Sequence, residues 1–294
     1  MNTRLTSSLS LIACLLLVPL AIAGEGAKPK KGTVRAEDGV TIVYEERGKG
    51  DTTLILLHGW CGDREFWKHQ ADAFANDYRI VALDQAGHGE SGKNRQTWTV
   101  NGLAGDVEAV TKALDLRRVI LVGHSMGGPI SLLAAKRMPG KVVAVIGVDT
   151  LPNAEFKMPE EVTKKFVAGF ETDFKGTMRS AMDGMVPEKI DPELKKWIVT
   201  KAEAQDPKMA LALIRDLSAV DNKTLLKEAK VPVRCINSGG GFKFFTPTDV
   251  SVNKKYADFD VVTMDEIGHF PMLERPDEFN QKLRNVLKEF AAKK

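Results

Sequence analysis

A serine stands between two glycines in the segment RRVILVGHSMGGPISLLAA, residues 117–135. An apolar strand pattern leads into the turn Gly123 to Gly127 and a helical pattern follows it, which is the strand, turn and helix context of the G-x-S-x-G motif. The residues two before and two after the serine must be small, because larger side chains there would collide with the neighbouring strand or helix. Ser125 then lies exposed at the positive end of a helix dipole, which favours an alkoxide. The segment predicts a nucleophilic serine.

The histidines of the chain occupy different sequence contexts. His58 ends an apolar strand pattern, and His88 and His124 stand beside glycines in tight turns, so we interpret all three as structural residues. His269 differs from them, because it follows the last strand pattern on a loop after Gly268, downstream of the long helical segment.

Short apolar strand patterns alternate with longer helical patterns along the chain. The strand patterns are 53–57, 79–83, 119–122, 142–148, 231–236 and 261–264, and the helical patterns are 64–75, 100–114, 126–137 and 276–291. They follow an antiparallel pair of strands within 33–47, around the Asp38-Gly39 turn. Buried strands that alternate with helices predict an α/β fold, with a mostly parallel central sheet and helices on both faces.

A long helical segment interrupts this alternation after the sixth strand. It carries phenylalanines and methionines at loosely helical spacings. An insertion at the carboxyl edge of a parallel sheet lies over the crevice where ligands bind. We interpret 152–206 as a small helical cap, and 33–151 with 207–294 as the core. The cap's apolar residues either pack against the core or line an apolar substrate pocket.

The first residues are typical of a signal peptide. Arg4 supplies the positive charge, 9–20 the apolar run, and Ala21-Ile22-Ala23 the cleavage site. We predict a signal peptide at 1–23, a linker at 24–32, and export to the periplasm or the medium. A transmembrane anchor is disfavoured because the apolar run is short and contains Pro19. A lipoprotein modified at Cys14 is also disfavoured, because most of the apolar run follows that cysteine.

Composition excludes several classes of function. The 294 residues include 42 Lys and Arg against 39 Asp and Glu, a formal net charge of +3, and the basic residues are scattered, so nothing indicates nucleic-acid binding. Cys61 and Cys235 are interpreted as unpaired, and no cysteine and histidine spacing suits zinc. No metal or organic cofactor is implied.

Four segments together resemble the α/β-hydrolase superfamily over essentially the whole chain after the linker. They are His58-Gly59-Trp60, LDQAGHGES at 83–91, the Gly123 to Gly128 turn, and GHFPMLERPDEF at 268–279, in the family's order. The resemblance is to a capped, esterase-like or lipase-like member with a serine nucleophile. It implies the α/β-hydrolase fold and does not define a substrate, because this fold serves many reactions.

The resemblance also assigns roles to individual residues. The backbone amides of Trp60 and Met126 would form the oxyanion hole, and His269 would be the general base for Ser125. In most relatives the triad acid follows the penultimate strand, which corresponds here to the glycines near Gly240.

No carboxylate stands at that position, so two candidates remain. Asp149 ends the preceding strand, where some relatives carry the acid, and Asp249 lies farther along the glycine-containing loop. We favour Asp149, with Asp249 as the alternative acid and a serine–histidine dyad as a third possibility. If the acid is Asp149, no carboxylate is needed after the penultimate strand, and glycines can occupy 239–241.

These residues favour a serine hydrolase that acts on small-molecule carboxylic esters, thioesters or lactones with small to medium apolar acyl groups. The first alternative is carbon–carbon bond hydrolysis of the meta-cleavage type, in which Arg179 or Arg215 would bind a carboxylate. A prolyl aminopeptidase, using acidic residues of the cap (Glu155, Glu160 and Glu161), is a weaker alternative. The last is a non-catalytic binding protein on a hydrolase fold. Dehalogenases and epoxide hydrolases are disfavoured because their nucleophile is an aspartate.

Overall fold

The computed structural model describes residues 29–157, 159–239 and 249–291. The predicted signal peptide (1–23), Cys14, and the positions of Gly240 and Gly241 lie outside the described residues. The strands are β1 (Lys30–Arg35), β2 (Thr41–Arg47), β3 (Thr53–Leu57), β4 (Arg79–Asp84), β5 (Val119–His124), β6 (Val142–Val148), β7 (Val233–Ser238) and β8 (Phe259–Met264).

These strands form one sheet in the order β1-β2-β4-β3-β5-β6-β7-β8. The pairs β1–β2 and β2–β4 are antiparallel, and all the later pairs are parallel. The central strands β3 and β5 are buried along their whole length, as apolar strands with helices on both faces must be. The predicted fold class is confirmed.

The first strand begins within the predicted linker (24–32), at Lys30. In the register of this hairpin, Lys30 lies opposite Glu46 and Lys31 opposite Glu45. The ion pairs of these residues are formed with other elements: Lys31 pairs with Glu90, and Glu46 binds Arg79. The lysine run therefore belongs to the strand and not to the linker.

The helices are α1 (Lys68–Phe74), α2 (Val100–Ala113), α3 (Gly127–Arg137), α4 (Glu160–Thr172), α5 (Phe174–Met185), α6 (Pro192–Glu203), α7 (Pro207–Ser218), α8 (Asn222–Ala229), α9 (Pro271–Glu274) and α10 (Pro276–Lys288). Two 3-10 segments, Arg64–Trp67 and Val250–Lys255, complete the elements of the described residues. One apolar cluster joins α2, α3 and α8 to one face of the sheet, and a second joins α1, α9 and α10 to the other face. No helix in the described ranges is both long and apolar enough to cross a membrane.

Helices α4 to α8 lie between β6 and β7. Side chains of α4 and α5, including Phe170, Met178 and Met182, are buried in the cluster that also contains α1 and α10. Helix α7 packs on α4 and also contacts α2, where the Asp216 carboxylate accepts a hydrogen bond from the Val100 amide (2.7 Å). Helix α7 therefore connects the inserted helices to the core of the sheet.

The carboxyl ends of the parallel strands meet at one edge of the sheet. In the register, His124 at the end of β5 lies opposite Val148 of β6, and Val148 lies opposite Ile236 of β7. The residues that follow these strands are therefore brought close together, although they are far apart in the sequence.

Candidate active site

Ser125 occupies a sharp turn between β5 and α3. Its φ of +50° is in the left-handed region, which non-glycine residues rarely adopt. Its amide donates to the carbonyl of Val148 (3.0 Å). A Cβ on Gly123 would lie 2.2 Å from the Gly127 oxygen, and one on Gly127 would lie 2.6 Å from the Leu57 oxygen. The turn therefore requires glycine at both positions.

Thr150 supports the nucleophile turn from the neighbouring strand end. Its hydroxyl donates to the Ser125 carbonyl (2.6 Å). A Cβ on Gly128 would meet that hydroxyl at 2.4 Å, so this glycine gives Thr150 the room it occupies. Asn237 exchanges hydrogen bonds with the Thr150 backbone and links the turn to β7.

The carboxylate of Asp149 faces the imidazole of His269. Asp149 Oδ2 is 2.6 Å from His269 Nδ1, and Oδ1 accepts a hydrogen bond from the Ser238 amide (2.8 Å). Both side chains are largely buried, with 8% and 13% exposed. Asp149 has a φ of +45°, a conformation that Asp tolerates better than most residues. The arrangement orients the imidazole with its Nδ1–H toward the carboxylate, which leaves Nε2 as the nitrogen that can accept a proton.

The backbone of the His269 loop is held on both sides. The His269 amide donates to the Met185 carbonyl at the end of α5 (2.8 Å), and its carbonyl accepts from His124 Nε2 (2.7 Å). The Glu274 carboxylate accepts from the amides of Gly268 (2.8 Å) and Phe270 (2.9 Å). Burial raises the pKa of Glu274.

The His58-Gly59-Trp60 segment approaches the nucleophile closely. A Cβ on Gly59 would lie 3.0 Å from the Ser125 Cβ. His58 Nδ1–H donates to the Gly59 carbonyl (2.8 Å), and the Gly62 amide donates to the same oxygen (3.2 Å). This carbonyl belongs to the peptide unit whose N–H is that of Trp60, so the two bonds orient that amide. The orientation of this peptide agrees with the predicted structural role of His58.

Trp60 also links this segment to the inserted helices. Its indole Nε1–H donates to the Ala210 carbonyl of α7 (2.9 Å), and its ring meets Phe170 of α4 edge-on, with centroids 5.2 Å apart. Met126, the second predicted oxyanion donor, immediately precedes α3 and is buried. Its amide therefore lies at the positive end of that helix, where an anion is favoured.

The structure places Asp249 differently from Asp149. Asp249 precedes the 3-10 segment Val250–Lys255, and its exposed carboxylate accepts a hydrogen bond from the Ser251 amide (2.9 Å). Hydrogen bonds from the Ser251 hydroxyl and amide lower the pKa of this carboxyl group. Gly239 extends the β7–β8 pairing by donating to the Met264 carbonyl (2.8 Å). Of the two candidate acids, Asp149 is the one that meets His269.

The arginines considered for carbon–carbon hydrolysis are exposed and paired. Arg179 binds Glu203 (2.7 Å), and Arg215 binds Glu171. The acidic residues considered for an aminopeptidase are also engaged at the surface: Glu155 accepts from Tyr256, and Glu160 and Glu161 pair with Lys164. None of these side chains is presented to Ser125 by the contacts of the described residues.

The remaining sequence expectations concern buried groups. Burial lowers the pKa of His58 to about 4 and that of His88 to about 3, so both rings are neutral. Cys61 and Cys235 are free and buried, and burial raises the pKa of both thiols. Within the described part of the chain, no group of three or more His, Cys, Asp or Glu residues is arranged to hold a metal ion.

Several supporting residues were not identified from the sequence. Thr150 and Glu274 directly follow or closely follow the predicted site residues, so their proximity in the chain was the available signal. Met185 contributes a backbone carbonyl, which every residue possesses, so no side-chain pattern could have indicated it. Ser238 contributes its amide to Asp149 and its hydroxyl to the Ile267 carbonyl (2.6 Å), but a single serine at a strand end is no signal in the sequence.

Comparisons with known proteins agree with this geometry. Residues 52–181 match a family model described as the alpha/beta hydrolase fold. The dihydrolipoyllysine-residue acetyltransferase component of the acetoin cleaving system of Pseudomonas putida is 29% identical over 91% of this chain and 73% of its own length. The pimeloyl-[acyl-carrier protein] methyl ester esterase of Nitrosospira multiformis is 26% identical over 82% of this chain and 95% of its own length.

A similar solved structure is that of Est816, described as an N-acyl homoserine lactone degrading enzyme. It is 26% identical, superimposes with a TM-score of 0.73, and the match covers 86% of this chain and 99% of that one. The sheet order, the nucleophile turn and these matches together define the class of protein. The chain has the α/β-hydrolase fold, and its residues 52–181 match the model of that family.

Proposed function

We propose that this protein is a serine hydrolase that cleaves carboxylic esters or lactones of small to medium apolar acyl groups through an acyl-enzyme. The observation that carries the proposal is the 2.6 Å contact between Asp149 and His269, beside a serine held in a strained turn. A carboxylate that orients a neutral imidazole is what a serine needs in order to become a nucleophile.

In the proposed mechanism, His269 Nε2 accepts the Ser125 proton while Oγ attacks the acyl carbon. The Asp149 carboxylate holds the other ring nitrogen and stabilises the imidazolium that forms. The amides of Trp60 and Met126 would receive the oxyanion, and each such donor lowers the barrier by about 3 kcal/mol. The imidazolium then protonates the leaving alcohol, and water hydrolyses the acyl-enzyme by the same steps in reverse.

Two features support an apolar ester as the substrate class. Trp60 is half-buried and packs edge-on against the fully buried ring of Phe170, so the part of its indole that stays exposed is apolar aromatic surface at the oxyanion segment. The similar proteins include one named as a methyl ester esterase and one described as degrading N-acyl homoserine lactones. Acyl chains and alkyl alcohols are the ligands that such surfaces bind best.

The test is a graded series of p-nitrophenyl esters, together with an N-acyl homoserine lactone, measured on the parent and on Ser125→Ala. We expect turnover of short and medium acyl chains by the parent and none above background by the variant. A fluorophosphonate probe should label the parent at Ser125. An inactive parent that the probe does not label would contradict the proposal and would favour a binding function.

We also propose that the protein is exported, because the first 23 residues have the charge, apolar run and cleavage site of a signal peptide. Expression of the full chain in a bacterial host, with N-terminal sequencing of the protein found outside the cytoplasm, tests this. A mature chain that begins at Gly24 is expected. A protein that stays in the cytoplasm with residues 1–23 attached would refute it, and lipid modification at Cys14 would replace it with a lipoprotein.

A further inference from the structure

His124 precedes the nucleophile and contacts the loop that carries the base. Its side chain is 1% exposed. Its ring lies against the ring of His269, with centroids 4.6 Å apart, and against that of Phe270, with centroids 5.3 Å apart. On the opposite edge, a Cβ on Gly59 would lie 2.8 Å from Nδ1. One imidazole therefore spans the space between the oxyanion segment and the His269 loop.

The hydrogen bond of this ring defines its protonation. Nε2 is 2.7 Å from the carbonyl oxygen of His269, and an oxygen of this kind only accepts, so the proton of His124 is on Nε2. Nδ1 is buried and has no donor among the described residues. Burial, reinforced by the charge of a protonated His269, lowers the pKa of His124 well below its usual value.

A ring with these partners is more than a packing residue. A phenyl group would fill a similar space without a buried, unpaired nitrogen, and unpaired buried polar atoms are uncommon because they are costly. Among the described residues, the hydrogen bond that the ring makes is to the backbone carbonyl of His269. The His269 amide donates a hydrogen bond to Met185 and the His269 carbonyl accepts one from His124, so both polar backbone groups of His269 are held.

We propose that His124 is a positioning residue for the hydrolytic reaction: its Nε2–H holds the carbonyl of His269 and thereby sets the distance of the imidazole from Ser125. The inference rests on the proposed function, since it concerns the same nucleophile and base. A displacement of about 1 Å between reacting groups costs on the order of 100-fold in rate, so an anchor on the base loop acts on the chemical step rather than on substrate binding.

Two variants separate the hydrogen bond from the packing. His124→Gln keeps an N–H donor at a similar reach, and His124→Phe keeps the ring and removes the donor. The measurements are kcat and KM on the best ester of the series, the rate of fluorophosphonate labelling of Ser125, and the melting temperature. We expect His124→Phe to lower kcat and the labelling rate by about 10- to 100-fold with little change in KM. His124→Gln should restore most of this loss.

The outcomes distinguish the two proposals. If the parent is not labelled at Ser125, the esterase proposal fails and the positioning role fails with it. If the parent is labelled and His124→Phe is labelled equally fast, only the positioning role fails. It also fails if His124→Gln is labelled as slowly as His124→Phe at an unchanged melting temperature, because restoring the N–H donor would then have no effect. A fast His124→Phe with a slow His124→Gln would likewise contradict it, because the ring and not the hydrogen bond would then matter.

A measurement on the parent covers the case in which the variants do not fold. Long-range proton–nitrogen NMR reports which nitrogen of each histidine carries hydrogen. The contacts place the proton on Nε2 in His124, and on Nδ1 in His58, His88 and His269, which face oxygen acceptors through that atom. The His124 signals are assigned through their connection to the backbone of that residue, because the Phe270 ring lies close to both His124 and His269. A proton on Nδ1 of His124, or an imidazolium at neutral pH, would overturn the proposal.

Discussion

At the scale of single residues, the carboxylate of Asp149 is divided between two tasks. Oδ2 faces the His269 ring, and Oδ1 is held by the Ser238 amide at the end of β7. The hydrogen bond from the Ser238 amide fixes the rotation of the carboxylate, so Oδ2 stays oriented toward His269. This is the support that a base requires if its tautomer is to be constant.

Asp149→Asn should therefore abolish most of the activity. The side-chain amide introduced by this substitution would present N–H to a ring nitrogen that also carries hydrogen, which favours the wrong tautomer of His269, and we expect kcat to fall by about 10³- to 10⁴-fold. Asp249→Asn is the matched control, because its carboxylate is exposed and, among the described residues, is held by the neighbouring Ser251. Ester hydrolysis by the two variants shows which carboxylate is the triad acid. A larger loss in Asp249→Asn would show that the assignment of the acid is wrong.

At the scale of the elements, the spacing between loop 58–60 and the nucleophile turn depends on glycine. Gly59 is packed so closely that a Cβ would lie 2.8 Å from His124 Nδ1 and 3.0 Å from the Ser125 Cβ. Neither atom belongs to the far end of a flexible side chain. The loop itself would have to move, and the Trp60 amide would move with it.

Gly59→Ala should consequently reduce both activity and stability. We expect kcat/KM to fall by at least about 10-fold and the free energy of unfolding to fall by about 1–3 kcal/mol, as in other overpacked sites. Gly105→Ala, in the middle of α2, is the control because nothing lies within 4 Å of its added Cβ. It should raise the free energy of unfolding by about 0.5–1 kcal/mol and leave kcat unchanged. Denaturant titration and ester hydrolysis measure both effects, and a Gly59→Ala enzyme with parental activity would contradict this account of the loop.

The elements also show where sequence patterns are sufficient. Most predicted strands differ from the observed ones only at their ends. A short, continuous apolar run is typical of a strand that is buried on both faces, so its position can be read from the sequence. The predicted helix 64–75 is a 3-10 segment followed by α1. Asp63 accepts from the Glu65 amide (3.0 Å) and tightens the start of this segment. The short helix α9, which positions Glu274, has no periodicity to detect because it is a single turn.

At the scale of the whole molecule, buried titratable groups make stability depend on pH. His58 and His88 have folded pKa values of about 4 and about 3, and His124 is shifted in the same direction. Below pH 6.5 the unfolded chain binds protons at these sites that the folded chain does not bind, so acid destabilises the fold. Asp106 acts in the opposite sense, because burial raises its pKa to about 6 despite the bond to Arg95.

Each fully shifted group changes the free energy of unfolding by about 1.4 kcal/mol per pH unit. Three buried histidines are shifted in one sense, and two carboxyl groups, Asp106 and Glu274, are shifted in the other, so the histidine contribution should be the larger one. We expect the free energy of unfolding to decrease as the pH is lowered from 6.5 to 4.5. His88→Asn, which can retain the bond to the Ala86 carbonyl, should reduce this slope. His69→Asn, at an exposed position, is the control and should change it much less. Chemical denaturation over this pH range is the measurement, and an unchanged slope in His88→Asn would refute the assignment.

The sequence by itself determined the class of fold and the nucleophile turn. Both depend on local patterns: apolar strands that alternate with helices, and glycines within two residues of Ser125 whose absent side chains make the turn possible. Only the tertiary structure decided which carboxylate meets His269 and gave His124 a partner. Asp149 and His269 are 120 residues apart in the chain, and His124 and His269 are 145 apart. These contacts exist because β5, β6, β7 and β8 are consecutive neighbours in the parallel part of the sheet, so their carboxyl ends deliver distant residues to one edge.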